Sequence, residues 1–387
     1  MPELRSVVVI GGGPAGLAVA RSYRDAGGEA ELTLLCEEAE APYQRPPLTK
    51  EFLRGEMGRE ELPLEPPEWF ARHGVNVRLG TPASEIRPQE REIVLEDGHR
   101  LAADVCVLTT GSRPIRPSLD GAEDPEVLLM RSVGDSERLI ARAARASSAI
   151  VIGSGFIGCE AAASLALQDV DVTMLSMEPL PQIERLGEAA GERLAQWLRE
   201  SGVTLRAGVE VEAIEQAQRV RLRDGEACEA EIVLLAAGAA PNAELAARAG
   251  LELHDGALPV DEEMRSENPF ILAAGDVAAA ENRIAGRRLR VEHWGDAIAQ
   301  GEVAGRVLAG ADAAWGEVPG FWSQIGSHTL KYAAWGDGYH EAQLVEHGDG
   351  AFTVWYSSGG IAVGVLTHEC DEDYERGRLL IARRGQP

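Results

Sequence analysis

Short unbroken runs of apolar, mostly β-branched residues recur along the chain, and helical spacing follows the main ones. The first is Val7, Val8, Val9 and Ile10, which suits a strand buried on both faces, and residues 17–23 after it read as a helix. Residues 31–36 repeat the strand pattern, and shorter strands are expected at 75–79, 92–96 and 104–109. The cycle then restarts with an apolar strand at 149–152, an alanine-rich helix at 159–167 and a strand at 171–175. An amphipathic helix near 188–200 and strands near 203–205, 209–214, 220–222 and 232–238 complete this second unit. A strand at 271–276, ending in Gly-Asp, and a helix over 298–308 come next. From Ala313 onward the pattern changes to strands at 328–335, 342–345, 352–356 and 361–366, rich in aromatic residues and glycine, with a short helix over 373–382. The expected fold class is α/β: two Rossmann-like units and a small β-rich α+β domain at the C-terminal end.

What stands between strand and helix gives the two units a chemistry. Gly11, Gly13 and Gly16 follow the first strand at G-x-G-x-x-G spacing, and Gly153, Gly155 and Gly158 repeat that spacing after the strand at 149–152. Such a turn cradles a pyrophosphate. The first glycine permits the tight turn, the second lets the backbone approach the phosphates, the third lets the helix pack on the strand, and the helix N-terminus donates N–H groups. One match among 43 glycines could arise by chance, but two in strand–turn–helix context imply two dinucleotide sites. Glu37, just beyond the second strand, is placed to accept from ribose hydroxyls, and Asp276, beside Gly275 at the end of its strand, can do so for a sugar-type chain. The expected division is a discontinuous first dinucleotide domain over 1–111 and 238–312, a second over 112–237, and a C-terminal domain over 313–387.

Charge narrows the partners. With 37 Lys and Arg against 63 Asp and Glu, the net charge of −26 argues against nucleic acid and anionic lipid. No charged-then-apolar leader precedes the first strand and no apolar run is long enough for a bilayer, so no membrane partner is expected and the cytoplasm is the expected location. Cys36, Cys106, Cys159, Cys228 and Cys370 are scattered without metal or C-x-x-C spacing, which reads as reduced, mostly buried thiols and no metal site. Trp315, Trp322, Trp335 and Trp355 read as core.

Among the 37 basic residues only Lys50 and Lys331 are lysine. Lys50 closes the stretch Ala41-Pro-Tyr-Gln-Arg-Pro-Pro-Leu-Thr-Lys50, a rigid loop expected to open a helix with Thr49 as its N-cap. A lysine so placed opposes the helix dipole, so a negative or electron-rich partner must compensate. Residues 52–70, acidic and broken by proline, read as surface, and residues 112–117 as a linker.

This arrangement resembles, over the whole chain, the two-dinucleotide-binding flavoprotein fold of the glutathione reductase class. More narrowly, PYQRPPLTK at 42–50, TTGSRP at 109–114, GSGFIGCE at 153–160 and GDV at 275–277 resemble the ferredoxin reductase group, which includes the putidaredoxin reductase type and the apoptosis-inducing factor relatives. The resemblance implies FAD in the first unit and NADH or NADPH, as substrate, in the second. It implies that Gly11, Gly13, Ala15 and Gly16 hold the FAD pyrophosphate, Glu37 the adenosine ribose and Asp276 the ribitol chain. It places Ala83 on the adenine side, Arg131 as a basic contact to FAD, Trp294 by the isoalloxazine and Lys50 facing the flavin ring. In the second unit it implies that Gly153, Gly155 and Gly158 hold the NAD(P) pyrophosphate, that Phe156 screens the flavin and that Glu160 lies by the nicotinamide.

Hydride transfer from nicotinamide to flavin needs stacked rings, excluded water and charge placed to meet the arriving electron density, so Lys50 and Glu160 are the expected catalytic pair. Glu160 is expected to offset the lysine's charge at rest and to swing to the nicotinamide amide when the dinucleotide enters; the alternative is a plain surface salt bridge. Three readings stay open. One is a ferredoxin reductase that passes electrons to a small iron–sulfur protein, the second an NAD(P)H oxidase or quinone-type reductase with no protein acceptor, the third a redox-sensing flavoprotein of the apoptosis-inducing factor type. The loop at 42–50 holds no cysteine, which argues against disulfide or peroxide reduction through a thiol. Ser176 stands where NADH-using relatives place an acid, with Glu178 two residues beyond and no arginine to hold a 2′-phosphate, so both dinucleotides stay open. The acidity requires a local arginine patch if the acceptor is itself acidic. Oligomeric state is left open.

Overall fold

Ser6–Ile10, the first apolar run, lies at the centre of a five-stranded parallel sheet in the computed structural model, which describes residues 4–387. The strand order is Ile271–Ala273, Val105–Leu108, Ser6–Ile10, Glu31–Leu35, Val75–Arg78, with Val7 opposite both Leu32 and Val105. A central parallel strand is covered on both faces, which is why Val7 through Ile10 carry no polar residue and are all buried. This sheet belongs to one of two compact units, made of the N-terminal stretch to Gln44, Pro63–Arg113 and Ala240–Phe321. Helices Pro14–Asp25 and Trp294–Leu308 pack closely within it. A Cβ on Gly301 would run into the Ala15 carbonyl and one on Gly305 into the Val19 carbonyl, so these two glycines, four residues apart on one helix face, set the approach.

The second unit comprises Arg45–Leu62, Pro114–Ala239 and Trp322–Pro387. Its parallel sheet runs Thr204–Ala207, Asp171–Ser176, Ser148–Ile152, Ile232–Leu235. Ile150, Ile152, Leu175, Val233 and Leu235 form one buried cluster with Ile214, Val220 and Leu222 of the antiparallel sheet Val211–Glu215, Arg219–Leu222, Ala227–Glu229. The C-terminal segment carries a five-stranded sheet in the order Gly320–Ile325, His328–Ala334, Ile361–His368, Ala351–Ser358, Glu341–Gly348, followed by helix Asp371–Arg383. Among the described residues no helix is long and apolar enough to cross a membrane.

Several local expectations need correction. Residues 52–70 are not surface throughout: Phe52, Leu53, Leu62 and Phe70 are buried, and Pro67–Arg72 is a helix that proline starts rather than breaks. Residues 112–117 are not all extended linker, since Ser112–Pro114 forms a strand in a two-stranded ladder with Ala239–Pro241. Helix Val133–Ala143 has no counterpart among the expected elements. Its signal is the pair Ser132 and Asp135: the Ser132 hydroxyl accepts from the Asp135 N–H (3.1 Å) while the Asp135 carboxylate accepts from the Ser132 N–H (2.9 Å), a reciprocal cap. Of the tryptophans, Trp315 and Trp355 are core, but Trp322 is 46% exposed.

The thiols follow burial. Cys36, Cys106 and Cys159 are buried; desolvation, with the Glu38 carboxylate adding to it, pushes the Cys36 thiol up to about 12, and burial drives the other two up as well. Cys228 and Cys370 are partly exposed, and burial also raises the Cys370 thiol. Alkylation of the native protein at about pH 8 is therefore expected to label Cys228 first and Cys370 slowly, with the other three reacting only after denaturation. Peptide mass spectrometry reads this directly. Rapid native labelling of Cys36 would contradict the buried placement.

Candidate functional site

The first glycine turn follows Ser6–Ile10 and opens helix Pro14–Asp25. Gly11 has φ of +122°, and a Cβ there would strike the Thr109 carbonyl; one on Gly16 would strike the Gly11 carbonyl. Only glycine serves at those two positions. Gly13 differs, because a Cβ built on it meets no protein atom within 4 Å. Gly13 is also the helix N-cap. Among the described residues, the helix start therefore has no side-chain cap, no acid in its first turn and open space beside its N-cap.

The second turn, in the other unit, is built alike. Gly153 has φ of +108° with its Cβ position against the Ala236 carbonyl, Gly158 sits against the Gly153 carbonyl, and Gly155, the N-cap of helix Phe156–Ala166, again meets nothing within 4 Å. Thr109 and Ala236 are each the residue just after a parallel strand, Val105–Leu108 and Ile232–Leu235, so the two turns match down to the backbone that blocks the first glycine. This helix too lacks a side-chain cap and a first-turn acid. Both turns fit a dinucleotide pyrophosphate: an open cradle, uncapped donors and no competing anion.

Around the first turn, Gly275 lies where a Cβ would come within 3.2 Å of the Ala15 Cβ and 3.4 Å of the Ala297 Cβ, so the end of strand Ile271–Ala273 and the first turns of both long helices converge. Asp276 follows, buried, with a carboxylate oxygen accepting from the Ser112 hydroxyl at 2.6 Å. Gln300 is fully buried; its amide oxygen accepts from the Gly275 N–H at 2.9 Å, while its Nε2 has no protein partner, which marks a place for an acceptor that the chain does not supply. Glu37 is exposed directly beyond Glu31–Leu35, Ala83 starts strand Ala83–Arg87, and Trp294 opens helix Trp294–Leu308, half-buried.

In the second unit the sequence-predicted pair meets. Lys50 Nζ lies 2.8 Å from Glu160 Oε2, with side-chain exposures of 3% and 5%. The loop does not open a helix at Thr49, as expected; Pro46–Thr49 is itself a single 3-10 turn and Lys50 ends it, so the lysine sits at the favourable, carbonyl end. Proline at the first two positions of the turn explains the difference, since it starts a turn but cannot extend one backwards. Thr49, freed from capping, donates from its hydroxyl to Glu160 Oε2 at 2.5 Å. Ser323 Oγ donates to Glu160 Oε1 at 2.7 Å, and the Trp322 ring lies 4.9 Å from Lys50 Nζ. Neither Thr49 nor Ser323 was legible as a partner: 111 and 163 residues separate them from Glu160, and no local spacing records such a meeting.

The other predicted positions fall as follows. Phe156 is the first residue of helix Phe156–Ala166, half-buried. Cys159 is fully buried with its sulfur toward the Ser154 carbonyl at 3.4 Å, directed into helix packing. Arg131 is half-buried before helix Val133–Ala143, and its carbonyl accepts from Arg45 at 2.8 Å. Ser176 ends strand Asp171–Ser176 fully buried, its hydroxyl 2.7 Å from that of Ser154 and donating to the Glu178 carbonyl, so no carboxylate stands at the strand end itself. Among the described residues no group of three or more His, Cys, Asp or Glu side chains is placed to hold a metal ion.

Known proteins share this arrangement. Rhodocoxin reductase of Rhodococcus erythropolis is 31% identical over 382 residues, covering 97% of this chain and 89% of that protein. The ferredoxin reductase for the CYP199A2 system from Rhodopseudomonas palustris matches with a TM-score of 0.94 at 27% identity, over 99% of this chain and 96% of that one. A chain of the covalent putidaredoxin reductase–putidaredoxin complex matches with a TM-score of 0.92 at 28% identity, over 98% and 93%. The sequence profile of the pyridine nucleotide-disulphide oxidoreductases matches residues 5–301, which include both glycine turns and the Lys50–Glu160 pair. With two such turns and those relatives, the chain belongs to the pyridine nucleotide-disulphide oxidoreductase family.

Proposed function

We propose that this protein is an FAD-dependent NAD(P)H oxidoreductase that passes electrons to a small iron–sulfur protein of the ferredoxin type, in the cytoplasm. The observation that carries the reading is the duplicated open turn, because a chain with two uncapped, acid-free helix N-termini behind matched glycines has two places for a pyrophosphate. The named relatives favour the protein acceptor: one is a rhodocoxin reductase and one solved match is a reductase captured covalently with putidaredoxin.

The functional division we propose is FAD on 1–111 and 238–312, the nicotinamide dinucleotide on 112–237, and a C-terminal domain over 313–387. Gly11, Gly13, Ala15 and Gly16 hold the FAD pyrophosphate, with Glu37 and Asp276 accepting from hydroxyls, Ala83, Arg131 and Trp294 as further FAD contacts, and Gln300 Nε2 as a donor the sequence did not suggest. Gly153, Gly155 and Gly158 hold the second pyrophosphate, with Phe156 at the same helix start. FAD, when bound, takes up a hydride as a pair of electrons and releases them singly. Lys50 supplies fixed positive charge for arriving electron density, in a setting dry enough for that charge to count. Glu160 keeps the buried lysine compensated.

The balance is one NADH or NADPH and two oxidised one-electron acceptors giving the oxidised dinucleotide, one proton and two reduced acceptors. Steady-state oxidation of NADH and NADPH by the FAD-loaded protein, with and without an added [2Fe–2S] ferredoxin, tests it. Turnover that rises at least about tenfold with the ferredoxin is expected. Fast turnover with oxygen or a quinone alone, or a protein that takes up no FAD, would overturn the reading.

A further inference from the structure

We propose that the second unit does not discriminate by charge between NADH and NADPH, so that the protein uses both: Ser176 and Met177 stand where a carboxylate would turn away a 2′-phosphate, and Glu178, the first acid after them, is committed to capping a helix. The proposal rests on the flavoprotein reading above and deepens it at the dinucleotide. In a unit of this kind the end of the second strand meets the adenosine ribose. An acid there accepts from the 2′-hydroxyl of NADH and repels the phosphate of NADPH, and an arginine does the reverse. The duplicated turns let the two units be compared position by position. The Gly11 N–H donates to the Leu35 carbonyl at 2.9 Å and the Gly153 N–H to the Leu175 carbonyl at 2.9 Å, with Ile10 opposite Leu35 and Ile152 opposite Leu175. Counted on from Leu35 and Leu175, Cys36 matches Ser176 and Glu37 matches Met177. The first unit carries an exposed acid at that place; the second carries a thioether, 75% exposed. From Ser176 to Pro181 the chain has no arginine or lysine.

Ser176 has no proton to offer. Its hydroxyl donates to the Glu178 carbonyl at 3.0 Å, so the 2.7 Å bond between the Ser154 and Ser176 hydroxyls runs from Ser154, and both protons are spent inside the chain. The backbone is fixed as well: the Ser176 carbonyl accepts from the Val209 N–H at 2.9 Å and the Glu178 carbonyl from the Gly208 N–H at 3.2 Å. Glu178 turns its carboxylate to the start of helix Ile183–Glu200, where Oε2 accepts from the Gln182 N–H and Oε1 from the Glu184 N–H, each at 3.2 Å. That helix start is pinned in turn. The Tyr356 hydroxyl donates to the Leu186 carbonyl at 2.8 Å, and Gly187, at φ of +79°, sits where a Cβ would strike the Tyr339 hydroxyl. A Glu178 carboxylate swung toward a ribose would leave both N–H groups without their charged acceptor, at the end of the helix dipole that favours an anion. The strand end therefore offers a 2′-phosphate neither a repelling acid nor a holding arginine.

The test titrates oxidised, FAD-loaded full-length protein with NAD+ and with NADP+ by calorimetry, as wild type, Glu178→Gln and Met177→Glu. The wild type is expected to bind the two dinucleotides with dissociation constants within about tenfold of each other. Glu178→Gln should leave their ratio unchanged to within about threefold, because the charge it removes faces the helix N–H groups. Met177→Glu puts at an exposed position the acid that the first unit has as Glu37, and should weaken NADP+ relative to NAD+ by at least about fivefold. A wild-type preference for either dinucleotide beyond about tenfold would overturn the inference. So would a larger change of ratio in Glu178→Gln, which would give Glu178 a share in the ribose site, or a smaller one in Met177→Glu. Each of those results would leave the flavoprotein reading standing. Wild-type protein that takes up no FAD, or binds neither dinucleotide, would instead bring down that reading and this inference with it.

Discussion

Lys50→Met slows reduction of the bound flavin by at least about a hundredfold while FAD remains bound. The expected size follows from what one fixed charge contributes when it meets developing charge in a water-poor site, here a lysine with 3% side-chain exposure. The same substitution also leaves Glu160 without its cation. Breaking a buried pair from one side costs about 3–5 kcal/mol of stability, and the Thr49 and Ser323 hydroxyls should hold the loss near the lower end. Stability and chemistry are separated by adding Glu160→Gln, which removes the orphaned charge. The double variant should regain most of the melting temperature and none of the rate. Rapid-mixing spectrophotometry and thermal melts on holoprotein read both. If single and double variants lose FAD and rate in equal measure, Lys50 is only a structural contact.

The second large effect separates the two turns. At Gly11 or Gly16 a side chain would collide with backbone, so a loss of binding there would be confounded with misfolding. Gly13 and Gly155 are clean positions. Both have ordinary negative φ (−83° and −66°) and open space where the Cβ would go, so alanine costs the apo protein only the difference between two N-caps, about 1 kcal/mol or less. A methyl group in the cradle should still keep a pyrophosphate off the helix N-terminus. Gly13→Ala is expected to fold and to lose FAD affinity by at least about tenfold, emerging pale or colourless. Gly155→Ala should stay yellow, be reduced normally by dithionite, and bind NADH at least about tenfold more weakly. Absorbance of the purified proteins and NADH titrations give the answer; the reverse pattern would exchange the two assignments.

Much of this protein could be read before its structure. Buried parallel strands need unbroken apolar runs, and the expected runs at 7–10, 31–36, 149–152, 171–175 and 232–238 lie in the two parallel sheets, while those at 92–96, 209–214 and 220–222 fall in antiparallel sheets. The glycine turns were legible because the constraint is local: a positive φ and a backbone carbonyl at van der Waals distance admit one residue type, whatever the rest of the chain does. Lys50 was visible for a compositional reason, as one of two lysines in a chain that otherwise uses arginine, at the end of a proline-stiffened loop.

What lay beyond local spacing was missed or misjudged. Phe52, Leu53, Leu62 and Phe70 sit among acidic residues and prolines, and the surrounding polarity hid that they are core. Threonine before a possible helix favours a capping role, yet a buried carboxylate 111 residues away makes the stronger claim on the Thr49 hydroxyl. Gly301 and Gly305 looked like two of many glycines until the neighbouring helix backbone appeared against them. The sequence alone thus determined where the buried parallel strands and the two glycine turns must be, since short-range sterics and burial of an apolar run act over a few residues. Only the tertiary structure decided which distant donors fill the Glu160 carboxylate, because long-range hydrogen-bond partners are chosen by packing that no local pattern encodes.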